Sequence, residues 1–416
     1  MYRTLILAAA LALTAAPAGA QSIGTASQDA PAAVRDVVAL GRGGARAAAP
    51  TVDSPLFANP AHLTAEPGLK VTFLGVTAGA GGNLRESYDF YDETLGPALE
   101  EGLDVIREED FERLQAIYDE ALRIGPSQKT TNAAAFAPSA RYNAGAYAVG
   151  GGLFANATTR ALIRRGGAGI PVVDAYGQAD LMLPVAAAAT VPTDALPIGS
   201  LSVGASATAL YRSVAAKNKP VDAINPDGEK LYLLSGSTVR VGVGAYARDV
   251  GVPGLDLGAS VMNVGGNVNY ALNQSWTIEG PDDLADDPAE IEATIARFEE
   301  RAAQPELRVG AAYRVPLGGS KELPLSDIVV AADYTSRSTS DLDQSFQAGL
   351  RGGVSATVGG VLGLRAGLSQ GMPTAGASLM SRYARLDFVT YGVEDARLLG
   401  GAPRRAYALQ LRFGLF

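Results

Sequence analysis

Few residues in this chain can do covalent chemistry. His62 is the only histidine among 416 residues, and cysteine is absent. A Ser–Asp–His triad would have to run through His62, and a His-rich metal site cannot be assembled. The imidazole lies next to Asn59-Pro60-Ala61, where packing or a hydrogen bond is its expected role. No G-x-S-x-G elbow and no P-loop occurs. The run VVALGRGGARA at 37–47 imitates a strand entering a dinucleotide-binding turn, but the third glycine of G-x-G-x-x-G falls on Arg46 and no βαβ pattern follows. No catalytic residue, metal or cofactor is therefore expected. Arginine is the residue type left with a chemical use. Arg212, Arg240, Arg248, Arg308, Arg314, Arg351, Arg365 and Arg412 recur inside strand-like segments, accompanied by Asp256, Asp333 and Asp387. A guanidinium holds a carboxylate in a bidentate fork. Such a set either pairs with its own acids into a network that stiffens a lumen or receives an anionic head group. Arg308, Arg351, Arg365 and Arg412 are the candidate ligand-binding residues.

What positions these arginines is a period of two. In Leu307-Val309-Ala311-Tyr313-Val315 one face is apolar, while Arg308, Gly310, Ala312 and Arg314 make the other. The pattern recurs at Leu201–Tyr211, Val239–Ala247, Leu255–Val261, Phe346–Ala356, Leu362–Leu368 and Tyr407–Leu415. It predicts about fourteen strands, near 69–78, 131–140, 145–159, 173–189, 198–213, 233–248, 254–264, 305–315, 325–336, 344–356, 360–369, 374–382, 385–394 and 405–416. Every second connection is short: 141–144, 190–197, 249–253, 316–324, 357–359 and 383–384. Most of the others are long or polar, with 370–373 as the exception. An even strand count with short turns on one rim and long loops on the other is the signature of an outer-membrane antiparallel β-barrel. A charge on the lipid face costs roughly 2–4 kcal/mol near the midplane. The apolar set therefore faces lipid and the arginines face the lumen. Phe416 ends the chain in an aromatic residue, one step out of phase with the apolar set of the last strand.

Two stretches break this period. Leu95, Leu99, Leu103, Ile106, Phe111, Leu114, Ile117, Tyr118 and Leu122 recur at helical steps, so a helical insertion is expected near 84–125. Its other face carries Glu100, Glu101, Asp104, Glu108, Glu109 and Asp110, either a solvated surface or a calcium or partner site. A second insertion is expected near 284–304. Gly150, Gly151 and Gly152 interrupt the third strand, as bulges and kinks often do.

Met1–Ala20 has Arg3, an apolar run Leu5–Ala16 and then Ala18-Gly19-Ala20, which reads as a secretory signal peptide cleaved before Gln21. No later segment has the ~18 or more apolar residues of a membrane helix. The chain has 49 Gly and 23 Pro, with only 19% charged residues, a composition that favours a barrel over soluble domains. The formal net charge of −9 argues against nucleic acid as a partner.

Between leader and first strand lies Leu40–Leu63. Gly41, Gly43, Gly44, Ala45, Asp53, Ser54, Phe57, Asn59, Pro60, Ala61 and Leu63 make a compact Gly-then-NPA segment. It resembles the N-terminal lumen plug of FadL-type outer-membrane transporters and of their PorV-like and TraF-like (conjugal-transfer) relatives. The resemblance implies a fourteen-strand barrel over 67–416, a plug over 21–66 and a bacterial outer-membrane location. It also implies a sideways opening at a third-strand kink, here Gly150–Gly152. The leading expectation is passive uptake of a hydrophobic small molecule, one that carries a carboxylate head if the lumen arginines serve it. The alternative is a TraF-like or PorV-like accessory that transports nothing and binds conjugation or secretion proteins. A plain porin is disfavoured by the plug.

Overall fold

The computed structural model describes residues 36–82, 84–101, 106, 110–124, 129–165, 171–193, 197–220, 231–277, 280–281, 288–299, 305–316, 325–337, 349–369, 371–393 and 404–415. The expected signal peptide and Phe416 lie outside them. Fourteen strands form one closed antiparallel barrel. They are β1 (Gly68–Gly81), β2 (Lys129–Asn143), β3 (Tyr147–Arg165), β4 (Pro171–Val191), β5 (Ser200–Pro220), β6 (Leu231–Arg248) and β7 (Leu255–Val264), followed by β8 (Glu306–Arg314), β9 (Leu325–Arg337), β10 (Leu350–Val358), β11 (Leu362–Ser369), β12 (Met372–Met380), β13 (Ala384–Val393) and β14 (Arg404–Leu415). Each pairs with its neighbours in sequence, and β14 closes on β1 through a register that includes Val76↔Leu411. Beyond the end of β7, the same edge of β6 pairs with a short hairpin, Ala271–Thr277 with Gly280–Pro281.

The alternation sorts the side chains as expected. Along β6, Val239, Val241 and Val243 are 58%, 45% and 53% exposed, whereas Arg240 between them is 4% exposed. Exposed apolar residues girdle the outer wall, from Leu69 and Phe73 on β1 to Leu409, Leu411 and Phe413 on β14. The inner wall is polar: Gln178, Asp180, Arg212, Asp256, Arg308, Asp333, Arg365, Asp387, Gln410 and Arg412 are buried. One rim carries the connections from β2 to β3, β4 to β5, β6 to β7, β8 to β9, β10 to β11 and β12 to β13. At 359–361, Gly359 and Gly360 both take positive φ, a conformation that suits tight hairpins. The other rim carries the long connections, except for the short one between β11 and β12.

The first helical insertion follows β1. It runs through α-helices Leu84–Phe90 and Gly96–Glu101, joined by a π-turn Tyr91–Leu95, and then α-helix Phe111–Ile124. It has a core of its own, in which Phe90, Leu95, Ile106, Leu114, Ile117 and Ile124 pack with Ile163 of β3. Helix Pro288–Glu299 lies in the second insertion and sets Ile291 and Ile295 against Val214, Tyr232 and Leu234. The rest of the expected 284–304 stretch is outside the described residues. Among the described residues no helix is long and apolar enough to cross a membrane.

Candidate functional site

The lumen holds the N-terminal segment, and the segment is tied first to itself. Asp36 caps α1 (Val37–Gly41) by accepting from the Ala39 N–H at 3.0 Å, and it also receives the Thr51 hydroxyl. Arg42 folds back and donates to the carbonyls of Ala45 at 3.1 Å and Ala49 at 2.9 Å. Ser54 opens the four-residue α2 (Ser54–Phe57), and its hydroxyl meets His62 Nδ1 at 2.9 Å. The other side of the imidazole packs edge-on against Tyr246. Burial keeps His62 neutral, with its pKa lowered to about 3. The pair joins two turns, and neither Ser54 nor His62 lines either chamber described below.

Asn59 shows why the turn matters. Its side chain accepts from the Ala61 N–H at 3.1 Å and donates to the carbonyls of Ala47 at 3.1 Å and Ala245 at 3.0 Å. One amide thus caps the 3-10 turn Pro60–Thr64 and joins it to the Gly-rich limb and to β6. Buried backbone groups cost about 1–3 kcal/mol each when unpaired, and this arrangement satisfies three of them.

The wall then grips the segment by its main chain. Asp333 of β9 accepts from the N–H groups of Arg46 and of Ala47, the latter at 2.6 Å. Ser260 donates to the Ala58 carbonyl at 2.6 Å, and Thr374 bonds both Gly43 N and Gly41 O at 3.1 Å. Arg412 of β14 donates to Asp53. Where the two backbones come closest the wall is glycine. A Cβ on Gly258 would stand 1.8 Å from the Ala47 carbonyl oxygen, and one on Gly244 would stand 2.1 Å from Asn59 Oδ1.

The four candidate arginines are not brought together. Arg412 serves Asp53, and Arg365 donates to Ser378 at 2.6 Å with Asp387 at 3.6 Å. Arg351 lies against Gly44. Arg308 lines the upper of the two chambers described next, and its Nε donates to Glu306 at 2.8 Å. Elsewhere Arg212 pairs with Asp180 at 2.7 Å, and Arg314 with Asp256 at 2.5 Å. The inner wall is thus largely a paired network, one of the two arrangements open from the sequence.

Two chambers flank the plug. The upper one, about 40 Å³ in volume and toward the long loops, is lined by Leu56, Phe57, Met182, Leu210 and Met262 together with Arg46, Arg240, Arg308 and Glu306. Among the described residues, Arg46 Nε and Arg308 Nη1 are buried there without a hydrogen-bond partner. Burial, and next to it Arg308, push Arg46 down to about 9. In the sequence Arg46 stands out only as the residue that spoils a glycine motif, and Arg240 only as one more arginine facing the lumen. The lower chamber has a volume of about 330 Å³ and opens among Val38, Pro55, Leu63, Lys70, Arg141 and Arg385. Thr72, Ser139 and Ala140 of β1 and β2 form part of its wall.

At that level strand pairing lapses across several strands. Pairs Thr72↔Ser139 and Gly75↔Phe136 flank a gap between β1 and β2. The β2–β3 ladder shifts register between Phe136 and Ser139, opposite Gly152 and Phe154, and the β3–β4 ladder skips from Gly151↔Val185 to Phe154↔Met182. Pro138 and Pro184, which have no N–H to give, sit in this band. The strand carrying Gly150–Gly152 itself runs on from Tyr147 to Arg165. A Cβ on Gly150 would reach within 2.9 Å of Leu63 Cδ2, so part of that glycine run makes room for the plug.

No protein-family model matches the chain, and no curated protein matches it in sequence. Solved structures do. The TodX deltaS2S3 mutant, a monoaromatic hydrocarbon channel, aligns with TM-score 0.50 and 12% identity over 91% of this chain and 97% of that one. The Ralstonia pickettii toluene transporter TbuX aligns with TM-score 0.47 and 14% identity, covering 91% and 98%. The Pseudomonas putida toluene transporter TodX gives 0.48 and 12%, covering 91% and 96%. At these identities the likeness is one of fold. Fourteen antiparallel strands closed around an N-terminal plug are the fold of the FadL-type outer-membrane barrels, and this chain has it.

Proposed function

We propose that this barrel takes up hydrophobic small molecules across the bacterial outer membrane, and that its ligand carries an acidic head. The observation that carries this reading is the upper chamber. Its apolar wall includes two methionines, which adapt to irregular ligands, while Arg46 Nε and Arg308 Nη1 offer donors that no described residue satisfies. A carboxylate would answer those donors, and the body of the ligand would lie on Met182, Leu210 and Phe57 once the side chains of this 40 Å³ chamber move apart to admit it. The long-loop rim would then face the outside and the short turns the periplasm. The lapse in pairing from β1 to β4, beside the lower chamber and Gly150–Gly152, supports release sideways into the membrane. The cargo of the TodX deltaS2S3 channel, monoaromatic hydrocarbon, agrees with the apolar part of this reading.

The test is uptake into proteoliposomes of a neutral alkylbenzene and of the matching aromatic carboxylate. Arg46→Gln should cut carboxylate uptake about tenfold, the loss of ~1.4 kcal/mol, and leave the hydrocarbon near its original rate. Equal effects on both would remove the acidic head from the reading. No uptake of either, with no lipid-like molecule bound to the purified protein by mass spectrometry, would replace transport with an accessory role in conjugation or secretion.

A further inference from the structure

The upper and lower chambers share a single lining residue, Leu56. We infer that the Leu56 side chain is the partition of the conduction path and sets the size of what crosses. The inference rests on the transport reading and deepens it.

Everything around this side chain is held. In α2, Ser54 is bonded to His62 at 2.9 Å and receives the Thr51 N–H at 2.9 Å. Asp53, just before the helix, is held by Arg412. Just after Leu56, the Phe57 ring stands edge-on to Phe154 of β3 with centroids 4.9 Å apart. Phe154 is itself buried. The backbone of α2 is therefore pinned from both ends and from the wall. Leu56 carries no hydrogen bond from its side chain, so a change of χ angle moves it without breaking one. It is the movable part of a fixed frame.

The surroundings define what such a movement admits. Above Leu56 stand Phe57, Met182 and Leu210, and below it Pro55 and Leu63. Leu56, Leu63, Phe154, Met182 and Leu210 belong to one buried apolar cluster. A hydrated ion finds no polar group in that cluster to replace its water, and desolvation excludes it. An apolar molecule meets only a steric barrier, whose height follows the bulk of the residue at position 56. The plug can then stay docked while the ligand passes. This separates closure against ions, which the whole plug provides, from size selection, which one side chain provides.

The natural absence of cysteine allows a direct test. Leu56→Cys is reconstituted into liposomes and treated with methanethiosulfonates of increasing bulk, with complete modification confirmed by mass. Alkylbenzene flux should fall stepwise with reagent size, at least tenfold for a benzyl adduct, and recover on reduction. Leu56→Ala should raise flux and admit larger members of an alkylbenzene series. Heat-modifiable migration and protection of the plug from protease confirm that each variant remains assembled. A fully modified Leu56→Cys barrel with unchanged flux overturns the partition. If deleting residues 21–48 raises flux in the same assay, the transport reading survives that failure. If neither the deletion nor any change at position 56 alters flux, both readings fall.

Discussion

Asp53 and Arg412 are 359 residues apart in sequence and in hydrogen-bond contact in the lumen. Both are buried, and the pair couples the plug to the strand that closes the barrel. Opening a buried ion pair from one side costs about 3–5 kcal/mol. Here the loss falls on plug docking, because the ladder around the wall does not depend on it. Asp53→Asn should therefore expose the segment: a cysteine at Ala58, buried in the parent, becomes reactive to maleimide while heat-modifiable migration is kept. Loss of that migration would show that the pair holds the barrel itself.

Glycines of the wall give a paired prediction. Gly258→Ala would place a methyl 1.8 Å from the Ala47 carbonyl oxygen, whereas a methyl on Gly177 would meet no described atom within 4 Å. The first change should displace the Gly-rich limb and raise leakage of small solutes from liposomes. The second should leave leakage at the parent level, with any stability change within about 0.5 kcal/mol. Equal leakage in both would mean that the wall tolerates bulk at the plug contact.

Acid should loosen the plug through His62. The buried imidazole has its pKa lowered to about 3, against about 6.5 for an exposed one. Between those values the undocked segment binds more protons than the docked one, so docking weakens as pH falls from about 6.5 toward 3 and is unaffected above. Leakage measured from pH 8 to pH 4 should rise below about 6.5 in the parent. In His62→Gln the part of the rise above pH 5 should be missing. A parent profile flat down to pH 4 would show that the segment stays docked with the imidazole charged.

The helical insertion after β1 gives the sidedness. An epitope placed at Glu101, an exposed residue on helix Gly96–Glu101, should bind antibody on intact cells. Labelling only after lysis would invert the barrel in the membrane.

All fourteen expected strands have a counterpart, because strict alternation over a strand's length leaves one face for lipid and one for the lumen. Ends are less legible: the strand expected at 344–356 runs on to Val358, and residues 344–348 lie outside the described residues. What alternation cannot say is which inward group meets which. Arg308, Arg351, Arg365 and Arg412 share a sequence context, yet their contacts are Glu306, a plug glycine, Ser378 with Asp387, and Asp53. Arg46 was unreadable for another reason. It lies in a Gly/Ala limb whose path depends on Asp333, 287 residues away. Gly244 and Gly258 were hidden among 49 glycines, and only the approach of a second backbone distinguishes them.

That approach has a consequence for how such barrels vary. Where Gly244 and Gly258 face Asn59 and Ala47, the closed state is written into strands some two hundred residues from the segment that does the closing. A chimera that borrows only the N-terminal segment of another barrel would inherit a stopper cut for a different neck. Stopper and strands would have to be exchanged together, and lineages should lose or keep them as one heritable unit.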